Sequence, residues 1–374
     1  MDLLYEVWLH TAAEFEPEVA AKAAPLIERK ANSFTSGEMD KKFLRDIGVA
    51  GEFQKRFSDP EVFSEAKGII KYCKDNEIRI VTMDMEEYPE TLKHINLPPR
   101  LLFVKGAPLN EGSGVAVSVV GCRKPTDHGK SFARLIGKSL GAAGITVVSG
   151  MAEGIDGQAH MGALDAGGKT IAVLAGSVDE IYPKCHQRLY RDILENGGSV
   201  VSERPPKTPV KPYFYQQRNR IIVGMTSGTV IVEGKILGGT AITARLALEE
   251  NKDIFAVPQS PMLWQAELPN KLIEEGAIIV TNKDVPKNTY KERFPKLDFK
   301  SETEKKEPLV SETKIVSEDA RIIEFLKENG GIATAEQIAE NLKIRINVLS
   351  GRLTILCIKG KLRQESGNRY ILVE

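Results

Sequence analysis

The chain has 374 residues, which at about 150 residues per domain predicts two to three domains. Its hydrophobic fraction of 42% and charged fraction of 27% are typical of a globular protein with a sizeable core. The 51 basic and 51 acidic residues cancel, which disfavours a protein that coats duplex DNA through overall positive charge but leaves a local basic groove open.

Cysteine spacing and the first residues indicate the compartment. The four cysteines lie far apart and form no CxxC pair, which disfavours a disulfide framework or a cysteine-based zinc site and favours a reducing environment. The opening MDLLYEVWLHTAAEF lacks a cationic stretch before an apolar one, and no apolar run approaches the roughly 18 residues of a membrane helix. We expect a cytoplasmic protein with no membrane partner, no metal and no cofactor.

Residues 1–105 are predicted to form a helical N-terminal domain. The stretches AEFEPEVAAKAAPLIERK and DPEVFSEAKGIIKYCKDNE repeat apolar residues at helical spacing. Between them, KFLRDIGVAGEF breaks at Gly48 and Gly51, which predicts the turn of a small helical hairpin. That turn either serves packing alone or, in a SAM-like or helix-hairpin-like domain, contacts a phosphate backbone.

Residues 106–283 alternate between short strands and helices. The strand-like runs are VAVSVVG, GITVVSG, KTIAVLAG, GSVVSE, GTVIVEG, KDIFAVPQ and GAIIVT. Continuous apolar strands separated by helices predict an α/β fold whose parallel sheet is covered on both faces. Nearly every run ends in Gly or Ser before a helix start, which places polar loops at the carboxyl edge of the sheet, where such folds bind ligands.

The C-terminal part divides into a linker and a small domain. Residues 284–316 are charged with few aliphatic positions, which predicts a flexible linker. Over residues 317–374, three helical segments precede two strands with a turn at Ser366-Gly367. This order predicts a winged helix-turn-helix, with the helix from about Ile346 to Ile358 in the recognition position.

The loop after the first strand, GCRKPTDHG, contains Gly121 and Arg123 and leads to a helix start near Thr126 or Asp127. A helix N-terminus beside an arginine favours an anion such as phosphate. The GKS that follows is not a Walker A loop, because Lys124 occupies the position of the required glycine.

The loop after the second strand, SGMAEGIDGQAH, begins with Ser149 and Gly150, where backbone donors can approach a ligand. Asp156 is predicted to cap the next helix and to share a helix face with His160. One interpretation of these two residues is an acid/base pair, and the other is a cap with a buried, hydrogen-bonded histidine.

The strongest local signal is RPPKTPVKPYFYQQRNR, residues 204–220, which holds five cations, three aromatic residues and no acid. Cations for phosphates and rings for bases are the pattern of single-stranded nucleic-acid binding, and an exposed loop with buried rings is the alternative. A third loop opens a helix with Gly238, Gly239 and Thr240 and adds the hydroxyl of Thr243. Three such loops on one edge suit either a nucleotide or a polyanion.

Eight strings occur together in the order of a known family: GCRKPTDHG, SGMAEGIDGQAH, GKTIAVLAGSVDEIYP, SERPP, FYQQRNRIIVG, VIVEGKILGGTAITA, FAVP and NKLIEEGA. They resemble the DNA processing protein A (DprA/Smf) family, and the similarity extends upstream to YPETLKHINLPPRLLFVKG. The resemblance implies a Rossmann-like core at 106–283 with a helical N-terminal domain and a C-terminal winged helix. It also implies a non-catalytic homodimer that binds single-stranded DNA, protects incoming DNA and helps to load RecA during natural transformation.

The loops and the resemblance together assign a DNA-binding surface, in which Phe214 is the stacking face. Relative to the family pattern, Cys122 replaces a serine, His128 replaces an aromatic residue and Gln259 replaces a glycine. We expect the loop after Gln259 to be rebuilt, and no binding residue is assigned there. The predicted binding residues are Gly121, Arg123, Thr126, Ser149, Gly150, Lys207, Lys211, Phe214, Arg218, Asn219, Arg220, Gly239, Thr240 and Thr243.

Two other functions fit parts of the sequence. A nucleotide-processing enzyme of the phosphoribohydrolase type uses a similar glycine loop, but here GGTAIT continues into Ala244 and Arg245 where those enzymes reach a glutamate. A transcription regulator would read duplex DNA with the predicted recognition helix. That helix is apolar apart from Asn347, Ser350 and Arg352, which favours a packing or protein-contact role.

Overall fold

The computed structural model describes residues 3–25, 41–57, 59–110, 114–295, 297 and 299, and residues 318–373 without 343, 345, 359, 366 and 367. The chain forms two compact units, Met1–Glu302 and Thr303–Glu374. Within the described helices, none combines the length and the apolar character needed to span a bilayer.

Helices dominate the start of the first unit. Trp8 is fully buried there, with its ring edge-on to Phe57 at a centroid distance of 5.6 Å. Gly48 has φ +76 and separates two short helices at the predicted hairpin turn. The helices are α1 (Leu3–Ala12), α2 (Pro17–Ala23), α3 (Lys41–Asp46), α4 (Gly51–Phe57), α5 (Pro60–Asp75) and α6 (Glu90–Lys93).

A nine-stranded mixed sheet forms the core of the first unit, in the order β1-β2-β6-β5-β4-β3-β7-β8-β9. The seven strands from β3 to β9 run parallel and coincide with the seven predicted runs. The chain moves outward from β3 to β6 on one side and then from β7 to β9 on the other, so the strand order reverses between β3 and β7. The strands are β1 (Arg79–Thr82), β2 (Leu101–Gly106), β3 (Ala116–Val120), β4 (Thr146–Ser149), β5 (Thr170–Val173), β6 (Ser199–Ser202), β7 (Gly228–Ile231), β8 (Asp253–Ala256) and β9 (Ile278–Ile279).

Helices pack on both faces of this sheet because its central strands are apolar on both sides. On one face, two helices approach so closely that a Cβ at Gly162 would lie 2.0 Å from the carbonyl oxygen of Arg134. Only glycine allows this contact. The covering helices are α7 (Asp127–Ala142), α8 (Ile155–Asp165), α9 (Gln187–Glu195), α10 (Phe214–Gly224), α11 (Gly239–Glu249), α12 (Glu267–Glu274) and α13 (Val285–Arg293).

Two boundaries differ from those predicted. The limit at residue 105 cuts through β2, because β1 and β2 pair antiparallel and join the main sheet through β6. The predicted linker at 284–316 contains all of α13, whose Tyr290 is fully buried and donates a hydrogen bond to Asp253. Its residues 300–316 lie outside the described part of the chain.

The second unit contains α14 (Glu318–Glu328), α15 (Ala335–Leu342) and α16 (Ile346–Ile358). Its sheet has three strands instead of the two predicted, in the order β10 (Ile332–Thr334), β12 (Arg369–Leu372) and β11 (Leu362–Glu365). The strand that was not predicted is β10, which pairs with β12 near the end of the chain. A run of three residues does not reveal such a non-local contact. The predicted turn at Ser366-Gly367 lies outside the described residues.

Candidate functional site

Two adjoining cavities occupy the carboxyl edge of the parallel strands. The larger, of about 480 Å³, lies where the strand order reverses, between the loops that follow β3 and β7. The smaller, of about 180 Å³, lies beyond the ends of β4 and β5. The two share a wall, so they form one groove along four strand ends. The shared residues are Arg123, Lys124, Ala152, Tyr215 and Arg218.

Cations and aromatic rings face this groove in pairs. The guanidinium of Arg123 lies over the ring of Tyr215, 4.9 Å from its centroid. The ammonium of Lys235 lies over the indole of Trp264 at 4.8 Å, in the larger cavity. Lys124 is also exposed there. The groove therefore combines positive charge with flat apolar faces.

Acidic side chains are distributed unequally between the cavities. The larger contains the buried carboxylate of Asp156, together with four cations. The smaller contains the exposed Glu153 and Glu180, together with three cations. Positive charge is thus in excess in both, and the excess is greater in the larger cavity.

The hydrogen-bond donors at the start of α7 are already bound to a buried carboxylate. The buried carboxylate of Glu233 accepts the backbone N–H of Thr126 at 2.9 Å and its hydroxyl at 2.6 Å. Thr126 Oγ1 in turn accepts the N–H of Gly129 and caps the helix. The prediction that Thr126 binds phosphate is not supported, because an internal anion already holds its donors.

A second internal carboxylate, that of Asp156 in the first turn of α8, holds backbone donors of the loops that follow β3 and β4. Asp156 accepts the N–H of Gly150 at 3.1 Å and that of Gly121 at 3.4 Å. Burial raises the pKa of Asp156, and the Arg218 guanidinium opposes that rise. Ser149 is fully buried and donates its hydroxyl to the Val119 carbonyl. Ser149 and the Gly150 donor are therefore used within the protein, contrary to the predicted phosphate contacts.

The predicted roles of Asp156 and His160 also change. Gly154, with φ +87, is the N-cap of α8, and Asp156 lies inside the first turn. His160 is fully buried, its Nδ1 lies 2.6 Å from Thr170 Oγ1, and burial lowers its pKa to about 3. The geometry favours the structural interpretation of these residues over an acid/base pair.

The start of α11 differs from both. Its first turn has no acidic residue, and its N-cap Gly238 provides no side-chain hydrogen bond. Gly239 and Thr240 line the larger cavity, and a Cβ added to Gly239 would have no atom within 4 Å. Thr243 also lines it but is buried, and its hydroxyl is 3.4 Å from the Gly239 carbonyl. A ligand at the start of α11 would therefore meet backbone N–H donors rather than the Thr243 hydroxyl.

Arg218 and Arg220 point in different directions because residues two apart lie on different faces of α10. Arg218 reaches the groove wall, donates to the carbonyls of Gly150 and Val173, and has its pKa lowered to about 10 by burial. Arg220 forms a buried ion pair with Glu203, at 2.6 Å to both carboxylate oxygens. The prediction that Arg220 extends the DNA groove is wrong for this reason.

Phe214 is likewise not an available stacking face. Its side chain is 2% exposed, and the Arg204 guanidinium covers the ring at 4.0 Å. The next residue, Tyr215, lines both cavities instead. A one-residue shift on α10 turns a side chain by about 100°, which decides which ring reaches the groove.

The other residues of the cationic segment lie at the margin. Lys207 and Lys211 are exposed and line neither cavity, although Val210 between them lines the smaller one. The Lys207 ammonium lies 4.2 Å over the ring of Tyr72. Asn219 lines the larger cavity, as predicted.

Four cationic or aromatic residues of the larger cavity were not among the predicted binding residues: Lys124, Tyr215, Lys235 and Trp264. Lys124 directly follows Arg123, and Lys235 is the first residue after GTVIVEG, so their positions after strands could have identified them. Trp264 lies in the loop to which no binding residue was assigned. Its contact with Lys235 joins two loops that are distant in sequence.

The three departures from the family pattern have local consequences. Cys122 lies 3.9 Å from Glu233 Oε2, and burial raises the pKa of its thiol to about 11. The ring of His128 stacks on Phe132 at 5.9 Å. The backbone of Gln259 exchanges two hydrogen bonds with the side-chain amide of Asn270, which ties the loop after Gln259 to α12. Within the described residues, no group of three or more His, Cys, Asp or Glu has the geometry of a metal site.

Comparisons with known proteins agree with this architecture. A family model described as DNA recombination-mediator protein A matches residues 79–290. Protein Smf of Escherichia coli K12 is 40% identical to this chain over 202 residues. The match covers 54% of this chain and 54% of Protein Smf, so the chain spans about half the length of that relative. The structure of DNA processing protein A from Streptococcus pneumoniae has a TM-score of 0.61 at 30% identity, covering 76% of this chain and 96% of that one.

A second solved structure concerns the single-stranded DNA binding mode of DNA processing protein A from Helicobacter pylori. It has a TM-score of 0.52 at 27% identity and covers 57% of this chain and 97% of that chain. Both structures share the α/β fold with a large parallel sheet.

Proposed function

Because the chain belongs to the DNA recombination-mediator protein A family, we propose that it binds single-stranded DNA in the groove at the carboxyl edge of its sheet. The observation that carries this proposal is the continuous groove whose shared wall holds the stacked pair Arg123 and Tyr215. Cations neutralise phosphates, and aromatic faces accept bases of any identity. The relative from Helicobacter pylori, described for its single-stranded DNA binding mode, supports the same ligand.

The proposed contacts differ from those expected from the sequence. Arg123, Lys124 and Lys235 contact phosphates, and the backbone donors of Gly239 and Thr240 assist them at the start of α11. Asn219 and Tyr215 contact bases or sugars, while Arg218 supports the wall and adds positive charge. Lys207 and Lys211 attract the strand from the margin of the smaller cavity.

The protein's partners and compartment follow from family membership as proposals. We infer a cytoplasmic homodimer that protects incoming single-stranded DNA and helps to load RecA, without a catalytic step. The phosphoribohydrolase alternative is not favoured, because the helix after GGTAIT has buried Ala244 and exposed Arg245 where a catalytic glutamate is needed. The groove carboxylate of Asp156 is itself held by two backbone donors.

For the remaining parts, we propose a helical N-terminal domain and a C-terminal winged helix. The order of helices and strands in the second unit supports the latter assignment. Ile346 and Ile355 on α16 are exposed, which suits contact with a protein more than reading of a DNA groove.

The test is binding of fluorescein-labelled oligo-dT, measured by anisotropy over a series of salt concentrations. Arg123→Glu is expected to lower affinity by at least about tenfold and to make the dependence of log K on log[salt] shallower by at least about one unit. The matched control is Lys71→Glu, which makes the same change of charge at an exposed position of α5 and is expected to bind like the parent. Equal losses in both variants, or none in either, would contradict the assignment of the groove.

A further inference from the structure

Two loops beside the larger cavity expose an unusual amount of apolar surface. Leu237 is 95% exposed and Met262 is 90% exposed. Gly234 donates its N–H to the Gln265 carbonyl at 2.8 Å, which joins the loop after β7 to the loop before α12. The two loops are thereby joined, and together they form the surface beside the cavity that Lys235 and Trp264 line.

Trp264 is the member of this surface that reaches the cavity. Its side chain is 39% exposed, and the Lys235 ammonium lies over the ring at 4.8 Å. A cation placed over an indole holds the ring in position and brings positive charge next to a flat apolar face. Nucleotides present the complementary pair, a phosphate next to a planar base.

We propose that Trp264 stacks on a nucleobase of the bound strand while Lys235 contacts a neighbouring phosphate. The proposal rests on the proposed function and adds a base-binding position at the reversal of the strand order. Tryptophan offers the largest ring for stacking, and stacking tolerates any base sequence. Trp264 lies in the loop after Gln259, where the sequence departs from the family pattern and no binding residue was predicted.

The surroundings favour a nucleobase over a protein side chain as the occupant. The cavity that Trp264 lines also contains Arg123, Lys124 and Arg218, against the single acid Asp156. Such an excess of positive charge around an exposed ring attracts a polyanion. A second copy of the chain or another protein on Leu237 and Met262 is the competing occupant, and the experiment distinguishes it.

The chain has two tryptophans, which makes the test direct. Trp8 is 2% exposed in the helical N-terminal region, so Trp264 is the tryptophan that a bound ligand can contact. Addition of oligo-dT is expected to quench the tryptophan emission of the parent protein. The Trp264→Phe variant, which retains Trp8, is expected to show no quenching although it still binds.

Affinity provides a second readout. Trp264→Leu is expected to bind oligo-dT about 5- to 100-fold more weakly, since aromatic stacking contributes strongly for each base. On an abasic oligonucleotide of the same length, which keeps the phosphates and lacks the bases, parent and variant are expected to bind equally. Phe294→Leu, which removes an exposed ring that lines neither cavity, is the control and is expected to match the parent on both ligands.

Failure of this inference can be told apart from failure of the proposed function. If the parent binds oligo-dT and Arg123→Glu weakens it, but Trp264→Leu binds as tightly as the parent, the stacking position is wrong and the groove stands. If Trp264→Leu instead changes sedimentation behaviour without changing DNA affinity, a protein occupies this surface and the proposal is overturned. If the parent does not bind oligo-dT at all, both proposals fall.

Discussion

Two kinds of helix start lie side by side at the carboxyl edge of the sheet. At α7, the backbone N–H of Thr126 donates to the internal carboxylate of Glu233. In the first turn of α8, the carboxylate of Asp156 accepts the N–H of Gly150 from the preceding loop. At α11, the first turn has no acidic residue, and its donors border the larger cavity. The three starts look alike in sequence, since each follows a strand and contains small or hydroxyl residues.

The difference teaches that a glycine-rich loop indicates available donors only when no internal anion uses them. A buried carboxylate at a helix N-terminus does what a bound phosphate would do, because both place negative charge at the positive end of the helix dipole. The donors at the start of α7 and before α8 are used within the protein, whereas the start of α11 borders the larger cavity. Three predictions test this contrast, from the largest expected effect to the smallest.

Glu233→Ala is expected to lower the free energy of unfolding by about 4 kcal/mol, because two charge-assisted hydrogen bonds to Thr126 are lost in a fully buried position. Urea denaturation of parent and variant measures this change. Glu249→Ala, at an exposed position of α11, is the control and is expected to stay within about 0.5 kcal/mol of the parent. A loss below about 1 kcal/mol for Glu233→Ala would show that the closed corner is not held by this carboxylate.

Acid is expected to destabilise the folded protein through two buried histidines, His10 on α1 and His160 on α8. Burial lowers the pKa of His10 to about 4 and that of His160 to about 3, so each stays neutral in the folded protein. An unfolded histidine titrates near 6.5, so stability is complete above about pH 6.5 and falls toward pH 4 by about 1.4 kcal/mol per pH unit for each histidine.

The measurement is the free energy of unfolding at a series of pH values between 4 and 7. His10→Gln is expected to reduce the slope by about 1.4 kcal/mol per pH unit, and the exposed His94→Gln is expected to leave it unchanged. Identical slopes for parent and His10→Gln would contradict a neutral, buried His10.

A matched pair of glycine substitutions gives the smallest expected change. A Cβ at Gly150 would lie 2.5 Å from Arg218 Nη2, and this buried guanidinium is held by the carbonyls of Gly150 and Val173, so moving it breaks hydrogen bonds. Nothing lies within 4 Å of a Cβ at Gly239. Gly150→Ala is expected to cost about 2 kcal/mol and Gly239→Ala less than about 0.5 kcal/mol in thermal or urea unfolding. Equal costs at the two positions would remove the distinction between the closed and the ligand-facing corner.

Local pattern was enough for much of the fold. The seven parallel strands were predicted because each is a short apolar run between turn residues, and the helix starts follow from glycine and hydroxyl residues after them. The antiparallel strands β1 and β2 were missed because their pairing joins segments about 20 residues apart, inside a region with strong helical pattern. Of the predicted site, Arg123 and Asn219 line the groove, whereas Arg220 and Phe214 turn away from it.

By itself, the sequence determined the α/β class, the position of the polar loops at one sheet edge and the family, because these depend on residue type and order along short segments. Only the tertiary structure decided which donors and cations a ligand can reach. Glu233 meets Thr126 across 107 residues of chain, and Lys235 meets Trp264 from a different loop. Burial and long-range hydrogen bonds determine which groups a ligand can reach, and neither can be derived from the local periodicity of the sequence.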